Sequence, residues 1–395
     1  MFYRENKNKE RRNEEVYRSG TCIYDARYRH GLRGPAAPAA PAEAAPAAEA
    51  AAPAEAAAPA EAAPAAEEVT TIGVAMPTQS LQRWNQDGAN MKASLEARGY
   101  KVDLQYAEDD VALQASQLEN MITTGAKVLV IASIDGEALS DVIGKAKEAN
   151  IPVIAYDRLI KKSDIDYYAT FDNFEVGVIQ GKYIEENLGL KDGKGPFNIE
   201  FFGGSPDDNN AYFFNGGAMS ILQPYLDNGQ LVCPSGQIAM EQVAILGWKS
   251  EDAQSRMDNL LSANYADGKA LDVVLSPNDS LAYGIASSLE NNGFVPGQKW
   301  PIITGQDCDI ANTKNMIAGK QNMSVFKDTR FLAEKVCEMV DAIVKGTEVP
   351  VNDTETYDND VKVVPSYLLA PVYCDINNYK ELLIDSGYYT EDQLA

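Results

Sequence analysis

The chain has 395 residues, 34 Lys+Arg against 58 Asp+Glu and a net charge of −24. Its length exceeds one domain of roughly 100–200 residues, and its charge repels nucleic acid and anionic lipid. The single histidine, His30, falls in a segment read below as outside the folded body, which excludes Ser-His-Asp and Cys-His catalysis and the commonest zinc ligands there.

Residues 1–34 are dense in charge and hold no apolar run long enough for a signal or a membrane helix. They are expected to be unfolded, and to derive from a mis-called start or a shifted frame over a true export signal. Cys22 lacks the hydrophobic stretch that a lipoprotein anchor needs. Residues 35–68 are almost wholly Ala, Pro and Glu, a composition that buries no core and acts as a semi-stiff tether.

From Val69 the pattern becomes that of a folded α/β protein. TIGVAM (71–76), KVDLQY (101–106), KVLVIA (127–132), IPVIAY (151–156), FNIEFFG (197–203), DVVLS (272–276) and PIITG (301–305) are short apolar runs suited to buried parallel strands. Between the first four lie helical stretches over 86–99, 112–125 and 136–150, each ending near Gly or Asn. Such alternation predicts doubly wound parallel sheets, and its two runs predict two lobes. No GxGxxG, GxxxxGK[ST] or GxSxG accompanies the strands, so neither nucleotide binding nor a hydrolase elbow is expected.

Ligands of open α/β sheets lie beyond the carboxyl ends of the strands. The residues found there are Pro77 to Trp84, Asp157-Arg158, Gly203 to Asn210, Asn278-Asp279, Gln306-Asp307 and, near SVF, Lys327-Asp328. Ionised acids, amides and guanidinium groups can each engage two neighbouring hydroxyls, and a flat indole can cover the apolar face of a sugar ring. The plain structural alternatives are helix N-caps for Asp157 and Asp307 and a simple ion-pair role for Arg158. Asn209 is the alternative to Asn210.

The five cysteines form no CxxC pair and read as free, mostly buried thiols, with Cys308 a small apolar filler beside Asp307. The acidic run Asp353–Asp360 lacks the spacing and central glycine of a calcium loop and reads as a surface turn. No cofactor and no metal are expected.

From about Thr71 onward the sequence resembles periplasmic sugar-binding proteins of the ribose/xylose/galactose type. The stretches that carry the likeness include IGVAMPTQSLQRW, QLENMITTGAKVLVIASIDG, GLKDGKGPFNIEFFGGSPDDNNA and VNDTETYDN. The resemblance implies the type I fold, two lobes joined by a three-strand hinge near 172–174, 326–328 and 365–370. The first lobe would comprise 69–172 plus 328–365, and the second 173–327 plus 366–395. It also implies a non-enzymatic, extracytoplasmic monomer that closes on one aldose such as glucose, galactose, arabinose or xylose. An ABC transporter permease, and with it a chemoreceptor or sensor kinase, would receive the closed form.

By position, the resemblance implies that Trp84 stacks on the sugar beside Arg83, that Asp157 and Arg158 grip hydroxyls from the first lobe, and that Asn210, Asn278, Asp307 and Lys327 do so from the second lobe and hinge. Xylose-binding relatives carry a second aromatic before the equivalent of Gly247-Trp248, where this chain has Ala244-Ile245-Leu246. Phe213 or Phe214 is the expected substitute. Two rivals remain: a sugar-responsive transcriptional regulator, for which residues 1–34 lack a helix-turn-helix pattern, and a glycoside-processing enzyme, for which Arg158 and Lys327 would keep the acids ionised.

Overall fold

The structure, a computed structural model, describes residues 69–395. The charged N-terminal segment, the Ala/Pro/Glu tether, Cys22 and His30 lie outside the described residues.

The first sheet is built on β1 (Thr71–Met76), whose side chains are almost all buried because helices cover both of its faces. Around it lie β2 (Lys101–Tyr106), β3 (Val128–Ile131), β4 (Val153–Tyr156), β5 (Tyr167–Phe171) and, from far along the chain, β11 (Ser366–Leu369). Their order is β11-β5-β4-β3-β1-β2, with every pairing parallel. β2 is the edge strand, which is why KVDLQY stays half-exposed.

The second sheet runs β7-β6-β8-β9, again parallel: β6 (Phe197–Phe201), β7 (Leu231–Val232), β8 (Val273–Leu275) and β9 (Ile302–Ile303). β10 (Met323–Phe326) pairs antiparallel with β12 (Val372–Asp375), and a bridge from Gln306 to Val325 carries this ribbon beside β9. The α/β class and the parallel sheets are as expected from the sequence.

Nine helices of eight residues or more connect these strands among the described residues: α1 (Gln82–Ala97), α2 (Val111–Thr123), α3 (Ser140–Glu148), α4 (Asn173–Leu188), α5 (Asn209–Asp227), α6 (Ser250–Asn264), α7 (Asp279–Asn291), α8 (Ile310–Ile317) and α9 (Thr329–Lys345). α1 begins four residues before the expected 86. Nothing in the sequence marks that start, since Leu81 at the N-cap offers no side-chain acceptor. The shift matters, because it places Arg83 and Trp84 on the helix and sets Asp87 one turn from Arg83.

α9 shows every terminal signal: Asp328 caps it through the Arg330 amide, and Gly346 ends it in the left-handed region. Its apolar stripe of Leu332, Val336, Met339 and Val340 joins the core of the first lobe around Met91 and Leu95 of α1. α4 and α5 cross so closely that a Cβ on Gly177 would lie 2.0 Å from the Phe214 carbonyl oxygen, and one on Gly217 2.0 Å from that of Phe174.

The chain passes between the sheets three times: after Phe171, after Phe326, and between Leu369 and Val372. This corrects the expected boundary at 365/366. Ser366–Leu369 pairs with β5 in the first sheet, so the crossing falls at Ala370-Pro371, where proline ends ladder pairing. The C-terminal tail packs with Cys308 and Met316 of the second lobe and reaches α1 of the first, Gln82 Nε2 donating to Tyr389 Oη at 2.7 Å and Tyr388 Oη to Gln86 Oε1 at 3.0 Å.

Candidate functional site

Asp157 and Asp307 each end a strand region at the same edge of their sheets, and both adopt positive φ, 59° and 96°. For residues other than glycine this conformation is strained, and Asp is among the side chains that tolerate it best. The turn points the Asp157 carbonyl inward, where it accepts from Tyr168 Oη at 2.6 Å, Thr170 Oγ1 at 3.0 Å and Asn210 Nδ2 at 2.9 Å. Neither aspartate caps a helix. Asn278 does, accepting from the Leu281 amide at 3.1 Å, which leaves its Nδ2 for other work.

All eight residues singled out from the sequence line one cavity between the lobes. Arg83 sits 3.0 Å from Asp157 through Nη2 and 3.6 Å from Asp307 through Nη1, while Lys327 Nζ lies 3.1 Å from Asp307. Arg158 Nε approaches Asp208 at 3.2 Å and its Nη1 donates to the Ser133 carbonyl at 3.1 Å. The lining thus carries three cations (Arg83, Arg158, Lys327) and three carboxylates (Asp157, Asp208, Asp307).

Burial alone would push the Asp157 carboxyl up, but Arg83, Lys327 and Arg158 together hold it below its ordinary value. At Asp208 the balance reverses: burial wins over Arg158 and the carboxyl is pushed up. Arg83 is held well above its usual range despite its burial, by Asp157, Asp87 and Asp307.

Seven buried polar atoms on these lining residues have no aligned hydrogen-bond partner: Arg83 Nη2, Trp84 Nε1, Asp157 Oδ1, Arg158 Nε, Trp248 Nε1, Gln306 Oε1 and Asp307 Oδ1. The ionic contacts at Arg83 Nη2, Arg158 Nε and Asp307 Oδ1 are close in distance but misdirected in angle. Both donors and acceptors remain to be satisfied. Unpaired buried groups cost about 1–3 kcal/mol each, so a ligand that supplies partners for them is favoured.

Asn210, rather than Asn209, reaches the cavity, and its amide binds the first lobe to the second: Nδ2 donates to Asp157 as above, and Oδ1 accepts from Asn173 Nδ2 at 2.9 Å. Trp84 is buried, with the Arg83 and Arg158 guanidinium carbons 4.5 and 5.2 Å from its ring centre.

Phe214 and Trp248 line the same cavity, centroids 6.2 Å apart, whereas Phe213 packs on Tyr357. Sequence reasoning missed Trp248 as a wall because the turn that carries it, Leu246–Trp248, follows no strand. Its signals were Gly247 and Trp248 at φ 67° and 56°, and Gly204, where a Cβ would lie 1.9 Å from the Trp248 ring. Gly204→Ala is therefore expected to lower stability by about 1–3 kcal/mol and to displace the Trp248 wall, with urea unfolding as the check. An unchanged midpoint would mean that the ring has room to move. Gln306 and Asp208 stand in the strand-end stretches read from the sequence, which assigned neither a role, and both line the cavity.

Cys308 is buried at the back of the site with its amide on Ser324 Oγ at 3.0 Å, and Cys233, Cys308, Cys337 and Cys374 are free. The Asp353 carboxylate accepts from its own turn, the amides of Glu355 and Thr356 at 3.1 and 2.9 Å.

A model of the periplasmic binding protein domain matches residues 72–348. The chain belongs to the periplasmic binding protein family. Within that family it is 59% identical over 326 residues to the multiple sugar-binding periplasmic receptor ChvE of Rhizobium radiobacter, covering 82% of this chain and 92% of that one. It is 58% identical over 325 residues to the multiple sugar-binding periplasmic protein SbpA of Azospirillum brasilense, covering 82% and 90%. A solved ABC transporter solute-binding protein from Clostridium phytofermentans, with bound β-D-glucose, is 60% identical at a TM-score of 0.80, covering 82% of this chain and all of that one. The likeness read from the sequence and the family agree.

Proposed function

We propose that this periplasmic binding protein closes on one neutral monosaccharide outside the cytoplasm and presents the closed form to an ABC transporter, and to a sensor or chemoreceptor where one is present. The observation that carries the reading is one cavity whose three cations and three carboxylates balance, while both donors and acceptors lack aligned partners. A phosphate or an ammonium gains no net field in such a lining, whereas a ring of hydroxyls donates and accepts at once.

Arg83, Asp157 and Arg158 would hold hydroxyls from the first lobe, and Asn278, Asp307 and Lys327 from the second lobe and hinge. Trp84, with Phe214 and Trp248, would cover the apolar faces of the ring. Groups contributed by both lobes reach the ligand only in the closed form, so the sugar favours closure by its differential contacts. The relatives named for binding several sugars support an aldose, D-glucose among the candidates.

We read the site as binding without turnover, in keeping with relatives named as sugar-binding proteins and a receptor. A thermal-shift panel of glucose, galactose, arabinose, xylose, ribose and fucose tests the proposal, since a ligand of the native form alone raises the melting temperature. At least one aldose is expected to raise it by several degrees at millimolar concentration. No shift from any of them overturns the reading, and release of a chromophore from an aryl glycoside overturns the absence of turnover.

A further inference from the structure

Asp87 lies one helical turn beyond Arg83 on α1, is wholly buried, and does not line the cavity. Its Oδ2 accepts from Arg83 Nε at 3.0 Å and lies 3.0 Å from Nη2, while its Oδ1 accepts from Tyr156 Oη. Both carboxylate oxygens are thus committed to aiming a side chain that does face the cavity. Arg83 turns its inner edge to Asp87 and its outer nitrogens to Asp157 and Asp307.

We propose that Asp87, held by Tyr156, is a positioning residue that keeps the Arg83 guanidinium turned toward the ligand, so that sugar affinity depends on the charge of Asp87. The inference rests on the monosaccharide-binding reading above. Without the inner carboxylate, Arg83 is free to swing fully onto Asp157 and Asp307 and to occupy the oxygens that hydroxyls would use.

The groups facing Asp87 are few: Arg83 on its own helix, Tyr156 and then Asp157 on and after β4, Tyr106 on β2, and Tyr388 from the C-terminal tail. Burial pushes the Asp87 carboxyl up to about 6, against the pull of Arg83 and the Tyr156 hydroxyl. Burial keeps Tyr156 itself protonated, its own titration pushed well above the ordinary value, so it remains a donor. Above that point Asp87 is ionised and Arg83 is held; on acidification it gains a proton and the charge is lost. Affinity therefore falls as pH drops through about 6, and by linkage the bound sugar lowers the pKa of Asp87. Asp309, pushed up to about 7 by burial and by Asp307, titrates nearby, so the Asp87 contribution is the difference between wild type and variant.

The test is calorimetric titration of the full chain with D-glucose, or with the aldose of largest thermal shift, from pH 5 to 8. The wild type is expected to bind roughly tenfold more weakly at pH 5 than at pH 7.5, the scale of one charge-assisted hydrogen bond. Asp87→Asn is expected to be about tenfold weaker at pH 7.5 and to lose the break near pH 6. Tyr156→Phe removes a donor to the carboxylate and is expected to move the break upward. Asp87→Asn with the wild-type affinity and pH profile overturns the inference, as does Tyr156→Phe with the break unmoved. Should Asp87→Asn fail to fold, the Tyr156→Phe profile decides. A wild type that binds no aldose sinks the monosaccharide reading instead, so the two failures are distinct.

Discussion

Asp307→Ala is expected to weaken monosaccharide binding by at least thirtyfold. The Asp307 carboxylate stands 3.1 Å from Lys327 Nζ and 3.6 Å from Arg83 Nη1, and both cations are nearly inaccessible to water. Truncation removes the acceptor for a sugar hydroxyl and leaves a buried ammonium short of its counter-charge. Losing one partner of a buried charge pair typically costs about 2–5 kcal/mol, a factor of roughly thirty or more. Titration calorimetry gives the number directly. A dissociation constant within threefold of wild type would remove Asp307 from the binding set. Asp307→Asn separates charge from shape: an amide keeps an acceptor but not the ion pair, so its loss should fall between wild type and alanine.

Trp84→Ala is expected to lower stability by about 3–5 kcal/mol and to abolish measurable binding, because this side chain belongs to the core and the site at once. The indole is 1% exposed and packs with Ile72, Met91 and Tyr156 in the core of the first lobe. Its ring also carries the guanidinium groups of Arg83 and Arg158, so its removal frees both. Urea unfolding monitored by far-ultraviolet circular dichroism measures the loss as a shift in midpoint at constant slope. A shift below about 1 kcal/mol would mean the neighbours collapse into the space, at odds with a rigid core wall. Trp84→Phe keeps an aromatic face while shrinking it, and should retain weak binding.

The same two residues show how much was legible. The strand runs and the rule that ligands sit past strand ends brought Trp84, Asp157 and Asp307 forward from the sequence, and the likeness to sugar-binding proteins gave each a role. Asp87 was not legible, because its meaning depends on where α1 starts. With a helix from Gln82, Asp87 is the i+4 partner of Arg83; with one from residue 86, the two have no fixed relation. Trp248 escaped for a different reason, since a short turn without a preceding strand has no period to read. The lobe boundary at 365/366 was drawn too early because a four-residue run does not show which sheet it joins, and only pairing assigns Ser366–Leu369 and Val372–Asp375 to different sheets.

By itself the sequence determined the class of fold and which polar residues end its strands. Buried parallel strands must be apolar on both faces, so they stand out against amphipathic helices, and the polar residues that end them have nowhere to lie but the sheet edge. Only the tertiary structure decided which of those residues meet. The contacts of Arg83 with Asp307 and of Asn210 with Asp157 join residues 224 and 53 positions apart and run between lobes linked by three crossing segments. Partners at such separations are selected by how the lobes close and how fully they exclude water, which is also what sets the charge of Asp87 behind them.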